Sequence, residues 1–297
     1  MNALEDHYGD ILQKARAGTG LSTADVARRT GATIQRLQEL EEGKPHPSAD
    51  LLTQLARLYR LEPQRLLAIA EERWAPRPIA AVTEGPGGIV RQVVGSLGGY
   101  AVNSYLLCDP STGEAAAVDT ANAPDRVMDE AKAAGYRLTT ILLTHAHPDH
   151  IGGCDRLQAA SGARLVAHPL DQPDLKPLWN SDRDLSATES AALTVGRLTL
   201  HVRWVAGHTH SGACYVGDGI VFVGDCLFAG SVGRARSPAS YRGLLGSIEQ
   251  KLFSLPDSTT IYPGHGPATT VGEEREHNPF FEGEGKPVSR TQPNRPG

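Results

Sequence analysis

Residues 144–153 read Thr-His-Ala-His-Pro-Asp-His-Ile-Gly-Gly, and they directly follow a short apolar stretch that is typical of a buried strand. Three histidines and one aspartate fall within six residues of this segment. Imidazole and carboxylate groups are the ligands that zinc, iron and manganese accept. His145 and His147 are two residues apart and therefore project to the same side of an extended chain, whereas Asp149 and His150 fall where a helix begins. The segment predicts a metal site at the end of a strand.

Three further ligand-type residues lie downstream, each after an apolar strand candidate and beside a glycine. They are His208 after residues 198–205, Asp225 after residues 220–223, and His265 after residues 259–262. Glycine allows the backbone to approach closely, which suits a crowded site. Together with the upstream segment they provide seven ligands, enough for two cations. The seven predicted metal ligands are His145, His147, Asp149, His150, His208, Asp225 and His265.

These segments resemble the metallo-β-lactamase superfamily, and within it the hydroxyacylglutathione hydrolase (glyoxalase II)-like group. The resemblance covers about residues 88–282 and is most specific at residues 262–272, which read Tyr-Pro-Gly-His-Gly-Pro-Ala-Thr-Thr-Val-Gly. It implies an α+β fold, an αββα sandwich with the metals at one edge between the sheets. It also implies a role for each ligand: His145, His147 and His208 hold the first metal, Asp149, His150 and His265 hold the second, and Asp225 bridges the two.

The chemistry that this resemblance implies is hydrolysis of a small-molecule substrate. Two divalent metal ions are expected, zinc first, with iron or manganese as alternatives because the same ligands accept them. A water between two cations loses its proton near neutral pH and can attack an activated carbonyl. A thioester or similar small ester suits this chemistry, because a thiolate leaves without strong acid help. Asp149 and Asp225 are the predicted catalytic residues.

The sequence departs from that group in three places. Full-length glyoxalase II enzymes carry a C-terminal helical domain that binds glutathione, whereas this sequence ends soon after Phe281. Ala235 and Arg236 stand where compact relatives have an aspartate, which predicts a reshaped loop or a more anionic substrate. Cys226 stands where threonine is common, and we interpret it as a packed neutral thiol.

The first 70 residues read as helices and resemble a Cro/C1-type (XRE-like) helix-turn-helix domain. Ser22 is placed to cap a helix, Thr33 begins the next one, and Ser48 opens a third. The resemblance makes residues 33–42 the recognition helix. Residues 1–74 contain ten Lys or Arg and eleven Asp or Glu, so a helical bundle that mediates dimerisation or protein docking is the alternative to DNA binding. The predicted DNA-contacting residues are Arg28, Arg29, Thr33, Gln35 and Arg36.

Composition and the order of the segments predict the class of the protein, its location and its domain divisions. The chain has 297 residues, a formal net charge of -5 and 40% hydrophobic residues, which favours a soluble globular protein. The acidic N-terminus and the lack of a long apolar run predict a cytoplasmic protein without membrane contact. Helix-turn-helix modules usually act as dimers, so a homodimer is expected. The predicted divisions are a helix-turn-helix domain at 1–72, a linker at 73–88, the metallo-β-lactamase domain at 89–283 and a disordered tail at 284–297.

Two other functions fit the same residues. A mononuclear iron persulfide dioxygenase shares the fold, and in such relatives only the positions that match His145, His208 and Asp225 bind iron. The helix-turn-helix resemblance instead allows a transcriptional regulator whose metal domain senses a metabolite. The complete set of seven ligands favours the two-metal hydrolase.

Overall fold

The structure, a computed structural model, describes residues 4–44, 47–176 and 178–282. The predicted disordered tail at 284–297 lies outside these ranges. The helices are α1 (Tyr8–Thr19), α2 (Thr23–Thr30), α3 (Ile34–Glu41), α4 (Ala49–Tyr59), α5 (Pro63–Ala70), α6 (Pro124–Ala133), α7 (Pro148–Ile151), α8 (Cys154–Ser161), α9 (Pro238–Ser247) and α10 (Val271–His277), and a π-helical turn (Ile248–Leu252) follows α9. The strands are β1 (Val82–Gly85), β2 (Gly88–Leu97), β3 (Tyr100–Asp109), β4 (Glu114–Val118), β5 (Arg137–Leu142), β6 (Arg164–Ala167), β7 (Leu185–Ser186), β8 (Ala192–Val195), β9 (Leu198–Trp204), β10 (Ala213–Gly217), β11 (Ile220–Gly224), β12 (Leu227–Phe228), β13 (Ser231–Val232), β14 (Thr260–Pro263) and β15 (Thr269–Thr270).

Two sheets form the centre of the larger part of the chain. One sheet has the strand order β1-β2-β3-β4-β5-β6-β7, and the other has the order β15-β14-β11-β10-β9-β8. Apolar side chains from both inner faces, such as Tyr105 and Phe222, pack into one buried cluster. Helices α6 and α8 cover the outer face of the first sheet, where Val127 and Leu157 belong to the same buried apolar cluster as Leu106. The arrangement is the αββα sandwich that the sequence predicts.

The five N-terminal helices owe their ends to capping side chains. Ser22 and Asp25 form a reciprocal capping box at the start of α2, and the αL residue Gly31 ends this helix. Thr33 and Ser48 cap α3 and α4 through their side-chain oxygens. These are the helix starts that the sequence indicates, so the helical reading of this region is confirmed.

The N-terminal helices pack directly on the sandwich. Ile11 of α1 and Leu66 of α5 belong to one apolar cluster together with Leu244 of α9 and Phe280. The contact is also polar, because the Glu62 backbone N–H donates to the Pro279 carbonyl over 2.7 Å. The helical domain and the sandwich therefore share a single hydrophobic core on the outer face of the second sheet.

One element lies where the sequence predicts a linker. Strand β1 falls inside residues 73–88 and pairs antiparallel with β2. Its side chains are mostly exposed, so it carries no apolar alternation that the sequence would reveal. The domain boundaries themselves stay a prediction. In the ranges given above, no helix is both long and apolar enough to cross a membrane.

Candidate metal centre

The predicted ligands lie at the carboxyl ends of four strands. His145 follows β5 after two residues, and Asp225 follows β11 directly. His265 follows β14, which pairs in parallel with β11, so the residues after these two strands reach the same sheet edge. His208 follows β9 in the same sheet. The loops from both sheets therefore meet at one edge of the sandwich.

One group of donor atoms gathers around His147. Its Nδ1 lies 3.0 Å from His145 Nε2 and 3.1 Å from His208 Nε2. Asp225 Oδ2 lies 3.6 Å from His208 Nε2 and 4.0 Å from His145 Nε2. All four donor atoms are within 4.8 Å of one another. A tetrahedral zinc ion with bonds of about 2.0–2.1 Å holds its donors roughly 3.3 Å apart, so the spacing fits such an ion.

A second group lies beside the first. Asp149 Oδ2 lies 3.3 Å from His265 Nε2 and 3.8 Å from His150 Nε2. Asp225 turns its other oxygen, Oδ1, to His150 Nε2 at 3.2 Å. Asp225 Oδ2, which faces the first group, also lies 3.5 Å from His265 Nε2 of the second group. Asp225 therefore lies between the two groups and contacts both, as a bridging ligand does.

In four of the five histidines, the ring nitrogen Nδ1 makes a hydrogen bond away from the cluster, and this hydrogen bond fixes the tautomer. The Nδ1–H of His208 donates to the Arg234 carbonyl over 3.0 Å, and that of His265 donates to the Ala101 carbonyl over 2.6 Å. The Nδ1–H of His150 donates to the Asp119 carboxylate over 2.7 Å. His145 Nδ1 lies 3.1 Å from Thr144 Oγ1, whose proton goes to Asp119. A neutral imidazole held this way presents an Nε2 lone pair to the cluster, the form that binds metal.

Two buried atoms of the cluster support a cation rather than a hydrogen-bond network. His150 Nε2 and Asp225 Oδ1 lie 3.2 Å apart without the geometry of a hydrogen bond, and neither atom has another hydrogen-bond partner among the described residues. Buried polar atoms rarely stay unpaired, because the loss of solvation costs about 1–3 kcal/mol. His147 Nδ1 also faces two ring nitrogens but can share a proton with only one of them. The donor set therefore fits two metal ions.

The charges in the two groups differ. Burial, helped by the neighbouring imidazole of His150, lowers the pKa of His145 well below its usual range, and burial also lowers the pKa of His208. In the second group burial acts in the same direction, but the carboxylates of Asp149 and Asp225 outweigh it and raise the pKa of His265 to about 10. Without metal, protons on the second group supply the positive charge that balances these buried carboxylates.

Asp119 is a residue of the site that the ligand motifs do not reveal. It follows β4 directly and adopts a left-handed φ of 58°. Its buried carboxylate accepts hydrogen bonds from the Thr144 N–H, the Thr144 hydroxyl and His150 Nδ1. The signal in the sequence is its position, an aspartate directly after the apolar strand 115–118, where a buried carboxylate must serve other groups.

Two glycines allow the ligands to lie so close together. A Cβ on Gly264 would lie 2.3 Å from Asp225 Oδ1 and 2.5 Å from the His150 ring. A Cβ on Gly233 would lie 1.8 Å from the Asp225 carbonyl oxygen. Gly264, which precedes the predicted ligand His265, thus has the close-approach role that the sequence suggests, and Gly233 has the same role without being next to a ligand.

The centre is buried on one side and open on the other. The side chains of His145 and His150 are at most 3% exposed, whereas those of Asp149 and His208 are 23% and 17% exposed. The centre therefore meets solvent at Asp149 and His208. Cys226 is buried, its Sγ lies 3.6 Å from Cys214 Sγ, and burial raises the pKa of its thiol well above the usual range, in accord with a packed neutral thiol.

The predicted DNA-contacting residues lie on α2 and around α3. Arg28, Arg29 and Gln35 are exposed, and Arg36 is half-buried. Thr33 caps α3 through its hydroxyl, which accepts a hydrogen bond from the Arg36 N–H. These positions are compatible with contacts to DNA, and the contacts themselves stay a prediction.

Comparison with known proteins gives two family matches. Residues 97–265 match the family described as the metallo-beta-lactamase superfamily, and residues 7–68 match a helix-turn-helix domain. The hydroxyacylglutathione hydrolase of Maricaulis maris (strain MCS10) is 36% identical over 165 residues, which cover 54% of this chain and 60% of that enzyme. The chain thus spans less than two thirds of this curated relative.

Two solved structures share the fold at 30% identity. The BLEG-1 B3 metallo-beta-lactamase aligns with a TM-score of 0.56 over 64% of this chain and 98% of its own. The di-iron-bound form of TTHA1623 aligns with a TM-score of 0.52 over 64% of this chain and all of its own, 100%. The family match covers more than half of the residues, and the same region carries the sandwich and the cluster. The chain therefore belongs to the metallo-beta-lactamase superfamily, with a helix-turn-helix domain at its N-terminal side.

Proposed function

We propose that this protein is a two-metal hydrolase that cleaves a thioester or a similar small ester. The observation that carries the proposal is the convergence of seven donor side chains in two groups, with Asp225 between them. The hydroxyacylglutathione hydrolase relative supports a thioester, because an acylglutathione is one. The seven proposed ligands are those predicted from the sequence, and zinc is the proposed metal.

The residues of the chain have distinct tasks in this reaction. The two donor groups would hold divalent cations, whose Lewis acidity would lower the pKa of a water and polarise a carbonyl. Asp225 fixes the spacing of the two groups through its two oxygens. Asp149 lies on the open side, where its carboxylate can accept a hydrogen bond from the attacking water and orient it. Asp119 and Thr144 hold the imidazoles of His150 and His145 so that Nε2 faces the centre.

Metal content and a substrate panel test the proposal together. We expect protein purified without added metal to contain about two equivalents of metal per chain, and to hydrolyse at least one of a panel of thioesters and lactones. His147→Ala removes a donor and should lower turnover about a hundredfold or more. The matched control is His201→Ala, since His201 is exposed and lies outside the cluster.

The same measurements separate the alternatives. One bound iron per chain, together with oxygen consumption when a persulfide is the substrate, would favour the iron dioxygenase over the hydrolase. Two bound metals without turnover of any substrate in the panel would favour the metabolite-sensing regulator. Protein without bound metal would contradict the proposal.

We further propose that α2 and α3 bind DNA, as the helix-turn-helix match suggests. Duplexes from the region upstream of its own gene should be retarded in gels at a salt concentration of about 50 mM, and less so as salt rises. Arg29→Ala should weaken binding, while Arg57→Ala, which removes an exposed arginine on α4, should not. If no duplex is retarded at low salt, the helices act in protein contacts instead.

A further inference from the structure

A buried polar bridge joins helix α1 to the loop beside the metal centre. The Lys14 ammonium pairs with the Asp6 carboxylate, and these two side chains are only 8% and 9% exposed. Lys14 Nζ also donates to the Val232 carbonyl over 2.9 Å, and the Ser231 hydroxyl donates to Asp6. Both partners in the sandwich lie on β13. The bridge therefore fixes the segment 227–234, which contains β12 and β13, to the helical domain.

The 227–234 segment touches metal ligands at both of its ends. The ring of Phe228 meets the His265 ring edge-on, with centroids 6.0 Å apart, and Lys14 Nζ lies 4.9 Å from the centroid of the same Phe228 ring. At the other end the Arg234 carbonyl accepts the Nδ1–H of His208. The Arg234 side chain in turn donates to Gln13 of α1. One helix of the N-terminal domain thus supports the partners of two ligands, one in each donor group.

Removal of either Lys14 or Asp6 alone should destabilise the protein. A lysine and an aspartate that are both more than nine-tenths buried lose most of their solvation, so removal of one partner leaves an unpaired charge in the interior. β12 and β13 pair with each other through only two residue pairs. The segment is also held from α10, because Glu274 accepts the Gly230 N–H and Asn278 donates to the Ser231 carbonyl. Helix α1 adds the contacts of Lys14 and Gln13, so the position of the two ends of the segment depends in part on α1.

We propose that Lys14 is a positioning residue of the metal centre, which acts through the 227–234 segment on His208 and His265. The proposal rests on the proposed function only in that the cluster binds metal. It makes the helical domain a structural part of the metal centre, so that loss of the bridge weakens metal binding as well as the fold. Residues that orient metal ligands typically change metal affinity about 10–100-fold, and an effect near the lower end is expected at this distance.

A pair of variants separates positioning from general destabilisation. Lys14→Met keeps the aliphatic stem and removes the charge. The matched control is Arg16→Met, which breaks the buried ion pair of Arg16 with Glu41 inside the helical domain and leaves the 227–234 segment untouched. Both variants should lower the thermal unfolding midpoint of the metal-free chain. Only Lys14→Met should weaken zinc binding, by about tenfold in competition with a chelator.

A spectroscopic readout needs no metal and no substrate. In the metal-free chain, the NMR signal of the His208 Nδ1–H should shift or broaden in Lys14→Met and stay unchanged in Arg16→Met. If Lys14→Met does not fold, Lys14→Met with Asp6→Asn leaves no unpaired charge and serves in its place.

Each outcome has one meaning. Equal zinc affinities and equal His208 signals in the two variants would overturn the positioning role and leave the proposed hydrolase intact. Wild-type protein that binds two metals but cleaves no ester would remove the hydrolase and leave the positioning role standing.

Discussion

Asp119 joins three groups that are distant in sequence. Its carboxylate accepts from the backbone and the hydroxyl of Thr144 and from the ring of His150, so it orients a residue of each donor group. All these atoms are buried, so each hydrogen bond acts in a medium of low polarity and fixes direction more strongly than it would in water. One carboxylate that is not itself a proposed ligand therefore orients an imidazole in each of the two donor groups.

Asp119→Asn should weaken metal binding about 10–100-fold, because an amide cannot accept from all three donors at once. The matched control is Asp109→Asn. Asp109 is also a buried carboxylate. It is the last residue of β3, which runs antiparallel to β4 and so ends at the opposite end of the sheet, where Asp109 accepts from the Arg197 N–H. Both variants should lose stability, and only Asp119→Asn should lose metal affinity in a chelator competition. Equal affinities would show that Asp119 is structural only.

The difference between Asp119 and the ligands explains what sequence could predict at this scale. His145, His147 and His150 belong to an uncommon residue type and stand in a tight pattern, so the sequence alone predicts that they lie together as candidate metal ligands. Asp119 is one of many aspartates, and only the fold shows that it faces His150 from the neighbouring strand. Lys14 and Asp6 are harder still, because their partners lie more than 200 residues away.

At the scale of elements, long segments with caps and periodicity were predictable, and short segments were not. Helices α2 and α4 begin at the serine caps that the sequence displays. Strands β12 and β13 have two residues each, too few for any alternation to register. Their place is set by contacts with other elements, among them α10, whose Glu274 accepts the Gly230 N–H over 3.0 Å.

Glu274 should make the stability of the protein depend on pH. Burial raises the pKa of this carboxyl to about 7 from an ordinary 4.5. Between these values the folded chain holds a proton that the unfolded chain has released, so the free energy of unfolding falls as pH rises through this window, by an amount on the order of 3 kcal/mol. Glu274→Gln should make that slope shallower in denaturant titrations from pH 5 to about 6.5, below the range in which the raised pKa of His265 adds to it.

The control for this experiment lies on the same helix. The side chain of Glu276 is 76% exposed, and Glu276→Gln should keep the slope of the wild-type protein. A slope that stays unchanged in Glu274→Gln would mean that other groups carry the pH dependence.

At the scale of the whole molecule, the helical region and the sandwich are one packing unit. The apolar cluster that holds Ile11 and Leu66 also holds Leu244 and Phe280. Arg65 of α5 adds a hydrogen bond to the Phe281 carbonyl over 2.7 Å. The family resemblances predict the helical domain and the sandwich separately. They do not predict the contact between the two, because each motif describes only one of them.

The chain should therefore unfold in a single transition. The loss of helix, followed by circular dichroism, should coincide on heating with the change in tryptophan fluorescence. The fluorescence reports on Trp179 and Trp204 in the sandwich and on Trp74, so Trp74→Phe restricts it to the sandwich. Zinc should raise the midpoints of both unfolding curves by the same amount, because a ligand of the folded state stabilises the whole cooperative unit. Helical signal that disappears well before the fluorescence change would show that the N-terminal helices fold independently.

The continuous core also limits how the helix-turn-helix domain could be exchanged for another one. A chimera that replaces residues 1–72 by another helix-turn-helix domain would keep the linker and still expose the apolar face of α9 and the residues around Phe280. A successful graft must therefore carry over the surface residues of α1 and α5 that face the sandwich. The tolerant crossover points would lie within the helix-turn-helix surface itself, on α2 and α3, so DNA specificity could be redesigned there while the domain junction stays fixed.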